Sequence, residues 1–596
     1  MRFFAHIAIF FVFFKAFPQQ DMVARQYFEE GSFEKAAIYY EKLYRSNPGR
    51  IDYLQYLAAS YQQLERYDEA REVLLEALKN SRGHPVYAVE LGYNYMLERK
   101  ENEAEKYYNM AIATIADLPS YAYVIGNTFR NKALPDYALK AYQKGIAVSP
   151  GANFNLNYSM ASLYGEMGDT EAMYNTYLTL IARHKNNVGM VKRRLGDFIT
   201  DDPESEHNEL FRKALLKRIQ TEPDTVWNDL LSWLFVQQKQ FDRAFVQEKA
   251  VYKRSGANAP DRLMQLGMLA REENDKAAAK EIFTFILNNA VPHEMKLEAR
   301  LHLLQIEIAD TSPEAYPEIE EKFTAIFKES GYTAATLPLQ MEYARFLAFR
   351  KQQSTKAITL LTGALQLPLS PFDEARLKMT MADILVYEEK FNQALIYYAQ
   401  IQKLVKNDLL SQTARFKTAQ TSFYKGDFKW AETQLKVLKS STSQLIANDA
   451  LQLKLLISDN AYEDSTQTAL KLYAKADLLA YQHKNKEAIA LLEEVLISHK
   501  GESIEDEALL RQAELLEQEK EYEKARMNYM KIIEFYPHDI LMDDALFALA
   551  GLCEIHLNDP EKAKMYYEKL IFGHEDSIYF ITARKRYRAL RGDAVN

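Results

Sequence analysis

Apolar residues recur along most of the chain at steps of three and four, the spacing that puts them on one face of an α-helix. Leu210, Phe211, Leu215 and Ile219 make one such stripe, and Trp227, Leu230, Leu231, Leu234 and Phe235 make another. Between stripes stand short polar blocks: Gly31-Ser32-Phe33-Glu34-Lys35, Arg66-Tyr67-Asp68-Glu69 and Lys100-Glu101-Asn102-Glu103. Each block reads as a turn leading into the next helix. The pattern predicts an all-α chain of short helices joined by tight polar turns.

The helices come in pairs of fixed period. Ala36, Ala70, Ala104, Ala138 and Ala172 are each 34 residues apart. Twelve residues ahead of the first four stands a small residue, Ala24, Ala58, Gly92 or Gly126. Nine ahead stands an aromatic, Tyr27, Tyr61, Tyr95 or Phe129, and four after stands Tyr40, Leu74, Tyr108 or Tyr142. Small residues let two helices approach closely, and the aromatics fill the space between neighbouring pairs. Pro48 and Pro150 mark helix stops. In the fifth pair Met160 and Thr176 stand at the small and large places, so looser packing is expected there.

A 34-residue helix–turn–helix period with these residues resembles the tetratricopeptide repeat family. The resemblance implies a right-handed superhelical solenoid of antiparallel helix pairs. Stacking is obligatory, because one pair cannot bury its apolar face alone.

Beyond Asn187 the period loosens. The break Asp201-Asp202-Pro203-Glu204-Ser205-Glu206 interrupts a degenerate helix pair. Repeat-like alanines return at Ala244 and Ala278, 34 apart. Two helical patterns joined by Thr311-Ser312-Pro313 follow, the second ending at Gly331. The marks then fall at Ala357, Ala394 and Ala431, 37 apart, and, after the polar segment 458–465, at Ala488, Ala525 and Ala563, 37 and 38 apart. Longer repeats predict longer helices or turns. The reading is a signal peptide over 1–20, an N-terminal array over 21–186, a degenerate segment over 187–225, a central array over 226–456 and a C-terminal array over 457–596. Roughly 11 clear repeats are expected. The last helix, from Tyr579 to Leu590, reads as a cap with a polar outer face, stopped by Gly592.

Composition agrees with this picture. Of 596 residues, 48% are hydrophobic and 26% charged, and only 20 Gly and 17 Pro interrupt the helical runs. The 39 Tyr and 31 Phe suit aromatic-packed repeats. A net charge of −9 disfavours nucleic acid as partner. The single cysteine, Cys553, excludes an internal disulfide and cysteine-based metal sites. Arg2 and the apolar run Ile7–Phe14 fit a secretory signal peptide and are too short to span a bilayer, which needs about 20 residues. The Gln-Gln-Asp that follows, and the basic C-terminal end, resemble exported repeat proteins of Bacteroidota.

No constellation in the sequence supports catalysis. Phosphate-binding glycine loops, an H-E-x-x-H pair and G-x-S-x-G are all absent, and the histidines are scattered. No metal and no cofactor is expected. Arg591-Gly592-Asp593 matches a short integrin-binding tripeptide, but Gly592 is accounted for as a helix terminator. In the family resembled, the first helix of each pair lines a concave groove that holds peptides or helices. Carried onto this chain, the groove positions are Gln55, Gln62, Tyr93, Met96, Tyr123, Asn127, Arg130, Asn157 and Tyr164. Some relatives clamp a terminal carboxylate with lysine, asparagine and arginine. Here the matching places hold Val89, Tyr93, Tyr123 and Ala161, and only Asn127 fits, so that mode is not expected. The leading expectation is a non-catalytic, exported scaffold of the bacterial cell envelope. Its partners would be other proteins or peptides in a multiprotein complex, with membrane contact only indirect. The alternatives are an envelope polysaccharide-binding module and an enzyme or regulatory subunit of an envelope enzyme, the latter with its site in the degenerate segment from Asn187 to Thr225.

Overall fold

The structure, a computed structural model, describes residues 20–149, 154–254, 260–438, 443–461 and 467–593. The expected signal segment up to residue 19, Pro150 and part of the polar segment 458–465 lie outside the described residues. Every regular element is helical, and no strand occurs among the described residues. The chain forms two compact units that divide at residue 258. Among the described residues, no helix is long and apolar enough to cross a membrane.

In the first unit, the helix over 20–29 turns into Phe33–Ser46. Then come the pairs Ile51–Gln63 with Tyr67–Asn80, Pro85–Leu97 with Glu101–Ala113, Ala122–Asn131 with Pro135–Val148 and Phe154–Glu166 with Thr170–Arg183. The degenerate segment is the pair Val188–Leu195 and Glu206–Thr221, followed by Thr225–Gln237 with Phe241–Arg254. Each helix packs mainly on those before and after it, the nearest-neighbour logic of a repeat array. The polar break is pinned by buried Asn208, which donates to the carbonyls of Thr200 at 2.9 Å and Asp202 at 2.6 Å.

One feature recurs through both units. In each regular pair a single residue with positive φ makes the turn between the two helices: Gly31, Glu65, Arg99, Ala133, Gly168 and Lys239, then Asn274, Gln352, Glu389, Gly426, His483, Lys520 and Asn558. Five residues later stands the residue that makes the second helix's first backbone hydrogen bond, such as Ala70 to Arg66 O at 3.2 Å and Ala104 to Lys100 O at 3.0 Å. These alanines are buried against the first helix. The small residues work as expected: a Cβ on Gly92 would come 2.5 Å from Tyr108 Cε1 and 3.0 Å from the Ala104 carbonyl oxygen.

That landmark corrects the alanine register in two places. In the fifth pair the turn is Gly168, so Met173, not Ala172, takes the buried place, with its amide on Asp169 O at 3.0 Å. Counting from Met173 puts Ala161 at the small position and Tyr177 at the large one, and all three are fully buried. The expected looseness at Met160 and Thr176 is therefore wrong. One extra residue ahead of the pair shifted the frame, and the packing is intact. In the same way Asn274 sets Ala279 rather than Ala278 in place, with Gly267 against the Phe283 ring.

In the second unit the pairs are Pro260–Glu272 with Lys276–Asn289, Leu337–Arg345 with Ser354–Ala364, Pro371–Tyr387 with Phe391–Leu404 and Leu409–Tyr424 with Phe428–Leu438. His293–Asp310 and Tyr316–Ser330 form a longer-linked pair. After the lone helix Gln444–Asn460 come Thr468–Tyr481 with Asn485–Ser498, Glu505–Gln518 with Tyr522–Phe535 and Met542–Ile555 with Pro560–Gly573. A π-helical turn over Phe346–Arg350 absorbs one inserted residue, leaving Ala344 as the buried small residue. The lengthened period is taken up differently along the unit. First helices reach 17 and 16 residues in Pro371–Tyr387 and Leu409–Tyr424. In the last array helices stay at 14 residues and the links between pairs lengthen. Phe580–Arg591 closes the unit, with Gly592 in the left-handed conformation.

Candidate binding surface

The nine positions expected to line the groove all fall on first helices of the N-terminal array, but they are not equally free. Gln55 Nε2 donates to Glu90 Oε1 of the next repeat at 2.7 Å. Glu90 is fully buried mid-helix, and its Oε2 lies 2.8 Å from Lys132 Nζ, one repeat further on. The same ammonium sits 4.7 Å above the Tyr93 ring, a cation–π contact that helps offset the cost of withdrawing it from water. Four side chains from three repeats are thus joined in one line.

A second line runs beside it. Buried Gln62 donates to Asn94 Oδ1 at 3.3 Å, and Asn94 donates to Tyr67 O and to Glu98 Oε1, both at 3.0 Å. Arg71 and Lys100 close on Glu98 at 2.7 and 2.6 Å. Burial pushes the Glu98 carboxyl up, but Lys100 and Arg71 outweigh it and hold it below the ordinary glutamate value. Met96 receives the Tyr108 hydroxyl at 3.8 Å, and Asn127 accepts from Tyr142 at 2.6 Å. Arg130 forks onto Glu166, its Nε at 2.9 Å from Oε2, and reaches Ser162.

Asn157 and Tyr164 are displaced by the one-residue shift. Asn157 is buried, and Tyr164 stands nine residues ahead of Met173, at the place that Tyr27, Tyr61, Tyr95 and Phe129 hold in the other repeats. The shifted frame brings Tyr158 and Ser162 to the groove-side positions. Of the nine, Tyr123 alone is an exposed large side chain, at 43% of its surface, with Val124 exposed beside it. Glu90 and Lys132 escaped the sequence reading, since a lone glutamate in an apolar helix carries no periodic signal. A charged residue inside the run Val86–Leu91 is the one hint.

Two segments with this geometry match a family profile described as tetratricopeptide repeat, residues 27–91 and 473–540. The chain is a tetratricopeptide repeat protein. Repeats of this kind generally mediate protein–protein interactions. A tetratricopeptide repeat-containing protein of Methanocaldococcus jannaschii is 26% identical over 165 residues, covering 28% of this chain and 29% of that one. The chain therefore spans less than a third of that relative's length. Among solved structures, that of Naa15/Naa10 bound to HypK-THB is 12% identical and covers 97% of this chain and 94% of that one, at a TM-score of 0.28. The P58(IPK) TPR domain is 13% identical and covers 80% and 98%, at a TM-score of 0.19. Scores of that size carry neither overall shape nor function over to this tetratricopeptide repeat chain.

Proposed function

We propose that this tetratricopeptide repeat protein is an exported, non-catalytic scaffold of the bacterial cell envelope. It holds partner proteins along the first-helix face of its N-terminal array, in secretion or surface assembly. The observation that carries the reading is the interlocked face itself. Gln55, Glu90, Lys132 and Tyr93 hold one another across three repeats, and Tyr123 projects from the same repeat as Lys132. A surface fixed before binding loses little conformational freedom on binding, and an exposed tyrosine with an arginine two turns further along the same helix supplies residue types enriched in binding hot spots. Export is supported by the signal-like segment of the sequence. Affinity capture from envelope extracts tests the reading, comparing the wild-type chain with a Tyr123→Ala, Arg130→Ala double variant. Proteins held by the first and lost by the second support it. Identical capture would overturn the face assignment, and a chain recovered from the cytoplasm still carrying Met1 would overturn export.

A further inference from the structure

The lone helix Gln444–Asn460 is not a link in the stack of repeats. The repeat that follows it closes directly on those before it. Thr468–Tyr481 packs on Leu409–Tyr424, the Tyr481 hydroxyl donates to the Asp383 carbonyl at 3.1 Å, and Gln482 Nε2 donates to the Tyr387 carbonyl at 2.9 Å. The array is continuous without the lone helix, which instead lies over its first-helix face. A cavity of about 540 Å³ separates the two. On the array side its lining comes from the first helices of four repeats, Leu409–Tyr424, Thr468–Tyr481, Glu505–Gln518 and Met542–Ile555, with Phe416, Phe423, Tyr473 and Leu510 among it. On the other side stand Asp449, Gln452, Leu453 and Leu456 of the lone helix. Their spacing of three and four puts them on one helical face, which Asn460 continues.

The lone helix is held shallowly. Among its described side chains only Ala450, Ile457 and Asn460 are buried, while Leu445 is 75% and Leu451 52% exposed. The shorter helix Thr468–Tyr481 buries seven of its 14 residues. Polar anchoring to the repeats that follow is gathered at the C-terminal end. Asn460 Nδ2 donates to Glu507 Oε1 at 3.1 Å, and its Oδ1 accepts from Ser503 Oγ at 2.6 Å. Protein interiors leave few voids larger than a water molecule, so a cavity of this size under the helix marks an imperfect fit.

We propose that Gln444–Asn460 is a resident occupant of the first-helix face of the C-terminal array, and that an amphipathic helix of a partner protein displaces it. A helix laid in a groove is recognised through apolar anchors three and four residues apart, the pattern that Leu453, Leu456 and Ile457 supply. Because it belongs to the same chain, the resident helix acts at a local concentration on the order of millimolar, which keeps the face filled despite the shallow seating. Displacement gives up little buried apolar area. A partner helix with bulkier apolar side chains gains more, by filling the space that the resident leaves empty. The face is in the second compact unit and stands or falls independently of the N-terminal one.

The test titrates a fluorescein-labelled peptide of residues 444–460 with the full-length wild-type chain and with the double variant Leu453→Asp, Leu456→Asp. Both leucines are only half-buried and stand on the lone helix, so the variant loosens the occupant and leaves the array untouched. A site that is rarely open binds more weakly in proportion to its open fraction. The variant is therefore expected to bind the peptide at least about tenfold more tightly than the wild type, and a scrambled peptide is expected to bind neither. Asn460→Ala, which removes only the polar anchor, is expected to act in the same direction by a smaller factor. Amide exchange in the wild-type chain is expected to show 444–460 opening while Thr468–Tyr481 stays protected. Equal affinity for the two chains, no binding to either, or equal binding of the scrambled peptide would overturn the proposal. So would equal protection of 444–460 and Thr468–Tyr481, or loss of the helical circular dichroism signal in both variants, since the helix would then be an integral part of the core.

Discussion

Lys132 Nζ lies 2.8 Å from Glu90 Oε2, so the end of one repeat's first helix is tied to the buried middle of the preceding repeat's first helix. Removing one partner of a buried pair strands the other charge, at a cost of roughly 3–5 kcal/mol. Lys132→Met is therefore expected to loosen Pro85–Leu97 and Ala122–Asn131, seen as faster amide exchange confined to those helices. Adding Glu90→Leu is expected to restore most of the protection, because a matched apolar pair no longer leaves a charge in the interior.

The left-handed turn residues give a second prediction. An L-residue in that conformation costs roughly 1–2 kcal/mol, and Glu65, Ala133 and Lys520 all adopt it. Changing Ala133 to glycine removes the clash at some entropic cost in the unfolded chain, for a net gain of about 0.5–1 kcal/mol. The triple change Glu65→Gly, Ala133→Gly, Lys520→Gly is expected to raise the melting temperature. Gly31→Ala or Gly426→Ala, at the same turn position, is expected to lower it.

Close packing within a repeat predicts a specific defect and its repair. Gly92→Ala drives a methyl into Tyr108, an overpacking that costs about 1–3 kcal/mol. Tyr108→Leu added to it is expected to recover stability, because the second repeat already uses that combination in buried Ala58 and Leu74. Denaturant unfolding of the two variants checks the order.

Much of this was legible in the sequence, and the misses have two causes. The period located helices, turns, the last helix and the small–aromatic pairing because packing repeats at those places. Alanine, however, is a weak landmark: at Ala172 and Ala278 it lay one residue from the true position. The turn conformation that sets the frame is invisible when it falls on Glu65, Arg99 or Lys239 rather than glycine. The groove positions were legible as places on a face, but not as partners. That Gln55 meets Glu90, or that Arg130 meets Glu166, depends on how far neighbouring repeats are offset.

Acid sensitivity should concentrate at Glu320. Its carboxylate takes Lys351, Lys356 at 2.6 Å and the Tyr343 hydroxyl at 2.9 Å. Hydrogen bonds from Lys351 first, then Lys356, lower its pKa to about 2. A folded pKa below the unfolded value, about 4.3, gives stability that is fully present above that value and is lost as pH falls through the folded one. Glu320→Gln is expected to lower the urea midpoint at pH 6 and to flatten its fall toward pH 2.

The claim that the N-terminal first-helix face holds partner proteins is tested most directly by site-specific photo-crosslinking in the cell. A photoreactive residue at Tyr123 is compared with one at Leu75, an exposed position on a second helix. The account predicts discrete crosslinked partner bands at position 123, lost with Arg130→Ala, and none at 75. The same bands from both positions, or none from 123, would contradict it.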